Sequence, residues 1–214
     1  MEDAAAAEAM EMFQSVVKMP SGADREKLVR KACSLLRNSI LNVNHHSVAE
    51  ILRHVRMFES IVQLALYKAE QVDPRKAAIL AYRQGSIAED REAAEALARR
   101  KDAYSPIIQT LSMLSDPTGT SQLGLGEHIA HSYRSDILKL VMRCDDELAK
   151  VEIFDWLVDN KMSSMLVECG NAYVEHYASM TKLKLEVTYD IKMFCGDTVK
   201  RIESVSLQPL YFMN

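Results

Sequence analysis

Along most of the chain apolar residues recur at steps of three and four, the spacing that lines one face of a helix. The longest such run covers residues 46 to 73. Val48, Ile51, Leu52, Val55, Phe58, Val62, Ala65, Leu66 and Ala69 form its stripe, and Ile61 and Leu64 widen it. The pattern predicts one long amphipathic helix with a neighbour on either side. Ser47, with Glu50 three residues on, has the spacing of a capping box at its start. Asp73–Pro74 predicts its end, because the residue before a proline is pushed out of helical conformation.

The same periodicity predicts helices on both sides. Residues 3 to 18 place Met10, Phe13, Val16 and Val17 together, and Pro20–Ser21–Gly22 breaks that run. A second helix starts at Asp24 with Leu28, Ala32, Leu35, Leu36 and Ile40 as its stripe; Asn42–Val43–Asn44 then turns the chain. After Pro74, set at a helix start, Ala77, Ala78, Leu80 and Ala81 predict a short helix stopped by Gly85. Residues 87 to 114 form the next long element. Its first half, Glu89 to Lys101, is charged and alanine-rich, so one side of it is expected in solvent, and Pro106 is expected to kink or interrupt the helix near Tyr104. Ile107, Ile108, Leu111 and Leu114 supply its apolar face.

Residues 115 to 126, rich in Ser, Thr, Gly and Pro, predict a loop. Helix returns by Glu127 and passes through Ile129, Tyr133, Ile137, Leu140 and Val141. Asp145–Asp146–Glu147 opens another, with acids where the helix dipole favours them. Leu148, Val151, Ile153, Phe154, Trp156, Leu157 and Val158 are apolar almost all round, which predicts burial. Two short helices, 162 to 167 and 172 to 180, flank a Gly170–Asn171 turn.

The period then changes. Leu183, Leu185, Val187, Tyr189 and Ile191 alternate with polar residues, a strand signature. Cys195–Gly196–Asp197 could turn the chain toward a second strand at 198 to 207. A lone hairpin is marginal in water, so residues 181–214 are read as a tail that is either a short β-hairpin resting on helices or disordered. The expected fold is all-α over residues 1–180: an irregular α-solenoid of stacked helix pairs without a fixed repeat.

Composition agrees. Only 7 Gly and 5 Pro occur in 214 residues, while 48% are hydrophobic. The net charge of −4 comes from interspersed acids and bases, which argues against a nucleic-acid partner. No basic leader opens the chain and no apolar run is long enough to span a bilayer. Cys33, Cys144, Cys169 and Cys195 lack paired spacing and read as free thiols.

Few chemical motifs occur in the sequence. Gly124–Leu125–Gly126 has half of a dinucleotide fingerprint without its third glycine or preceding strand, so it reads as a loop. His128 and His131 are three apart, but zinc needs two more ligands; the pair is expected solvated or hydrogen-bonded. His45–His46 flanks a helix start and reads as a capping neighbour. Phe154 and Trp156 read as core, and the methionines as gap-fillers. No catalytic residue, cofactor site or metal site is expected, and hence no enzyme.

Two blocks carry a likeness. The first is Arg53–His54–Val55–Arg56–Met57–Phe58–Glu59–Ser60–Ile61–Val62–Gln63–Leu64–Ala65–Leu66, followed by Ala69–Glu70, Asp73–Pro74, Tyr82–Arg83–Gln84–Gly85 and Glu89–Asp90. The second is Gly126–Glu127–His128, then Leu138–Lys139–Leu140, Asp146–Glu147–Leu148, Phe154–Asp155–Trp156–Leu157–Val158 and Leu166. In order and spacing they resemble the C-terminal helical region of the nucleoporin 155 family, from about residue 24 to Met180. The resemblance implies a structural constituent of the nuclear pore complex at the nuclear envelope, an inner-ring scaffold supporting protein import and RNA export. The implied partners are other inner-ring nucleoporins and linker nucleoporins of the Gly-Leu-Phe-Gly type; the unpaired apolar faces expected of a solenoid segment would accept such a partner or a second copy of the chain. The family's membrane contact lies in a β-propeller outside these residues, so no direct membrane contact is expected of them. The rival expectation is a helical adaptor of a vesicle-coat-like assembly.

Overall fold

The computed structural model describes residues 2–162 and 165. Among the described residues there are nine helices and no strand, so the fold is all-α and solenoid-like. They are α1 (Glu2–Lys18), α2 (Ala23–Arg37), α3 (His45–His54), α4 (Phe58–Val72), α5 (Ala77–Gln84), α6 (Arg91–Ser115), α7 (Pro117–Gln122), α8 (Glu127–Arg143) and α9 (Glu147–Asp159). None is long and apolar enough to cross a membrane. The chain forms two compact units, one up to Leu140 and one from Val141 onward. The expected strands, the helices at 162–167 and 172–180, Cys169 and Cys195 fall outside the described residues, apart from Met162 and Met165.

In the first unit α6 is the hub: α3, α4, α5 and α7 all pack on it, while α1 pairs with α2. Its core draws on Phe13, Leu36, Leu52, Tyr104, Ile107, Leu111 and Leu114, all essentially without solvent contact. On α2 the buried line is Val29, Ala32 and Leu36, one residue round from the expected Leu28–Leu35 edge. In the second unit α9 starts from Asp146, whose carboxylate accepts the Ala149 N–H. Leu148, Ala149, Ile153, Phe154 and Leu157 are buried there, whereas Val151, Trp156 and Val158 are only half-buried, less than an all-round apolar helix suggested.

Five sequence expectations are corrected. The long helix at 46–73 is two helices, broken at Val55–Met57. Its start is set by Asn44, whose side chain accepts the His46 and Ser47 N–H groups, so Ser47 is the third residue of α3 and not its cap. Pro106, expected to interrupt, lies inside an unbroken α6. Pro74 precedes α5 by three residues, and the helix is started by Asp73, whose carboxylate accepts the Ala77 and Ala78 N–H groups. The stretch 115–126 is not a plain loop: Asp116 caps and Pro117 opens the six-residue α7. Gly119 is required there, since a Cβ would collide with the Met113 carbonyl.

Candidate functional site

The break in the long stripe is built by a Schellman motif. Met57 N–H donates to Leu52 O at 2.8 Å and Arg56 N–H to Arg53 O at 3.0 Å. The residue forced into the left-handed region is Arg56, with φ 62°. Glycine usually fills that position, as Gly85 and Gly124 do at the ends of α5 and α7. Arginine costs strain there, but its guanidinium then donates to both Leu123 O and Gly124 O at 3.0 Å. Those carbonyls end α7, where helical partners run out.

The same device recurs. Arg25 on α2 donates to Val55 O at the end of α3, and Arg99 on α6 to Val72 O at the end of α4. Arg134 on α8 donates to Leu114 O in the last turn of α6. Four helix C-termini are thus each met by an arginine from elsewhere in the chain, three of them on other helices and Arg56 in the turn between α3 and α4, which suits the negative end of the dipole. Arg100 goes further inward. It donates to Asp73 Oδ2 at 2.8 Å and to the Tyr104 hydroxyl at 3.0 Å, with both members of the ion pair only 2% exposed.

Pro106 organises the second polar cluster. Lacking an N–H, it leaves the Asp102 carbonyl without its helical partner. Two side chains take that place: Ser105 Oγ at 2.7 Å and His45 Nε2 at 3.1 Å. The carbonyl only accepts, so Nε2 carries hydrogen. The other ring nitrogen, Nδ1, lies 2.6 Å from Lys68 Nζ, which only donates. His45 is therefore neutral, with its proton on Nε2. Burial pushes its pKa below the ordinary histidine value; the bond to Asp102 pulls it back, and Lys68 and His46 push down. Burial also lowers Lys68, against the pull of the Asp102 carboxylate. That carboxylate lies 3.7 Å from each histidine Nε2 and 3.8 Å from Lys68 Nζ.

This cluster can be tested against two chemistries. Among the described residues His45, His46 and Asp102 are the one group whose ligand atoms converge as a metal site would need. Both nitrogens of His45 are already used, and Lys68 supplies a positive charge, so His46 and Asp102 alone face outward; zinc takes four ligands. Ser105, His46 and Asp102 also resemble a hydrolytic triad in composition. In a triad the base contacts nucleophile and carboxylate through different nitrogens. Here Ser105 Oγ, at 3.4 Å, and the carboxylate both approach Nε2, while Nδ1 faces Gln109. The Ser105 hydroxyl is moreover spent on the Asp102 carbonyl. The geometry holds helices together and prepares no nucleophile.

The remaining sequence candidates lie elsewhere. His128 and His131 are exposed on α8, and among the described residues neither joins a group whose ligand atoms converge on a metal position. Gly124, at φ 60°, terminates α7. Cys33 and Cys144 are free thiols; burial pushes the Cys33 thiol up to about 11, away from reactive thiolate character. Lys68, Asp102 and Arg100 were not singled out from the sequence, because their partners lie 23 to 57 positions away. One signal was legible: Pro106, four residues after Asp102, marks a carbonyl that needs a partner.

The model of the family described as non-repetitive/WGA-negative nucleoporin C-terminal matches residues 1–191. The chain belongs to this family. The nuclear pore complex protein Nup154 of Drosophila melanogaster is similar to it, 19% identical over 182 residues. That alignment covers 78% of the chain and 13% of the relative, so the chain spans about an eighth of the relative's length. The match reaches beyond the residue 24 to 180 blocks at both ends. Membership in the nucleoporins gives the chain a structural role in the nuclear pore complex at the nuclear envelope.

Proposed function

We propose that this nucleoporin chain is a non-enzymatic scaffold element of the inner ring, supporting protein import and RNA export through protein–protein contacts alone. The match of the family model across residues 1–191 carries the reading. The clasped helices support it, because four arginine guanidinium groups are engaged with helix-end carbonyls inside the chain. Its partners are other inner-ring nucleoporins and Gly-Leu-Phe-Gly-type linker segments, with self-association through unpaired helical faces, and it makes no direct contact with nucleic acid or membrane. Residues 1–180 serve as the solenoid part and 181–214 as a separate tail. A cleft of about 310 Å³ between Ala6, Ala7 and Met10 of α1 and Asn42–Asn44 and Ser47 offers one surface of this kind. Affinity purification of the tagged chain from nuclear-envelope extracts tests the proposal. Recovery of inner-ring nucleoporins is expected. Recovery of vesicle-coat subunits in their place would overturn it in favour of a coat adaptor.

A further inference from the structure

The His45 cluster does more than satisfy a carbonyl. We propose that His45 is a proton-sensitive latch: neutral, it ties α3 and α4 to the Pro106 turn of α6, and protonation releases that tie. The geometry requires one protonation state. His45 Nδ1 must stay bare to accept from Lys68 at 2.6 Å, and Nε2 must carry hydrogen to reach the Asp102 carbonyl at 3.1 Å. A second ring proton would sit on Nδ1 and meet the Lys68 ammonium donor to donor, cation to cation. Lys68 must then withdraw or lose its own proton.

Lys68 from α4, the Asp102 carboxylate from α6 and His46 from α3 itself are the titratable groups that face the ring. One carboxylate, itself largely exposed, cannot offset two adjacent cations beside a third titratable ring. Outward movement of Lys68 removes the link to α4, and the imidazolium turns toward the carboxylate and off the carbonyl. The sign follows from linkage. An unfolded histidine titrates near 6.5, and His45 is held below that value. The unfolded chain therefore takes up the proton first. The latch contributes fully above about pH 6.5 and is lost as pH falls through that value toward the folded midpoint.

Long-range proton–nitrogen NMR of the histidine side chains in the full chain is the test, with the His45 signal assigned by its loss in His45→Gln. At pH 7.5 the expected result is a proton on Nε2 and a bare Nδ1. The expected midpoint lies below 6.5, and the protection of α3 backbone amides, corrected for intrinsic exchange, falls by up to about tenfold per pH unit between 6.5 and that midpoint and levels off below it. Lys68→Met, which removes the opposing cation, should raise the His45 midpoint. A proton on Nδ1, a midpoint at or above 6.5, or α3 protection that ignores His45 titration would each overturn the latch. So would a Lys68→Met midpoint that is unchanged or lower. Should that variant fail to fold, the tautomer and exchange measurements on the unaltered chain still decide.

Discussion

Two short stretches of the first unit invert what their sequences suggest. At Val55–Arg56–Met57 the apolar stripe continues without glycine or proline, yet the helix ends. At Asp102–Pro106 the strongest helix breaker sits mid-pattern, yet α6 runs on unbroken from Arg91 to Ser115. The difference lies in what meets the exposed backbone groups. After α3 the Arg25 guanidinium covers Val55 O, and Arg56 reaches across to α7. At Pro106 the orphaned carbonyl is taken by Ser105 and His45, so the break loses its reason. Local propensity proposes helix ends, and side chains from distant positions decide which are used.

The largest expected effect tests the α6 side. Arg100 lies six residues before Pro106 and is paired with Asp73 in the interior. Arg100→Leu leaves a buried carboxylate without its cation, and removing one member of such a pair costs about 3–5 kcal/mol. Chemical denaturation should show it, and adding Asp73→Ala should restore only part, because Asp73 also starts α5. A loss under about 1 kcal/mol would mean that α6 is not anchored there.

On the other side of the comparison stands Phe58, the first residue of α4 after the break. It is 3% exposed, with its ring edge-on to Tyr133 at 4.6 Å between centroids. Phe58→Ala should cost about 3–5 kcal/mol, the range for truncating a buried ring. A denaturation midpoint matching the parent would show that α4 is not seated by this contact.

The stripes themselves were legible. Val48, Leu52, Val55, Phe58, Ile61, Val62, Leu64, Ala65 and Ala69 are buried, as the periodicity of residues 46–73 required, and Ile51 and Leu66 are half-buried at its edges. The break between them was not, because the left-handed position is held by an arginine and its bonds lie 67 and 68 residues away. Lys161, at φ 58°, ends α9 the same way and was equally silent. Helix starts were legible in part: Asp146 was read within the acidic opening of α9, whereas Asp90 and Asp116, which likewise bond their own third residue onward, were not read as caps. One side of the charged half of α6 was read as solvated, and Arg100 stayed hidden among its charges, since composition cannot tell which charge of a run turns inward. The His45 cluster joins three elements, and only its proline was visible as a signal.

A smaller effect separates strain from clasp at Arg56. Arg56→Ala removes the two bonds to α7 and keeps a Cβ in the left-handed region. Arg56→Gly removes the same bonds and relieves the strain. The glycine variant should be the more stable of the two by about 1 kcal/mol. Equal stabilities would mean that the turn at 55–57 relaxes in the alanine variant and that the Schellman geometry does not define the break.

The smallest effect is expected at Pro106 itself. Proline inside a helix normally costs about 3 kcal/mol, so Pro106→Ala would ordinarily stabilise α6. Three features argue otherwise here. A carbonyl oxygen has two lone pairs, and those of Asp102 already face Ser105 Oγ and His45 Nε2, so a restored N–H must displace one of them. The ring is buried and lines a cavity together with Ile40, His45, Val48 and Ala49, and alanine would enlarge that space. Proline also restricts the unfolded chain, a stabilisation of about 0.4–1 kcal/mol that alanine gives up. The net change should lie within about 1 kcal/mol of zero, on the destabilising side, with helix content by circular dichroism unchanged. A gain of about 2 kcal/mol or more would show that the Asp102 carbonyl was poorly served, and that α6 persists through Pro106 by packing alone.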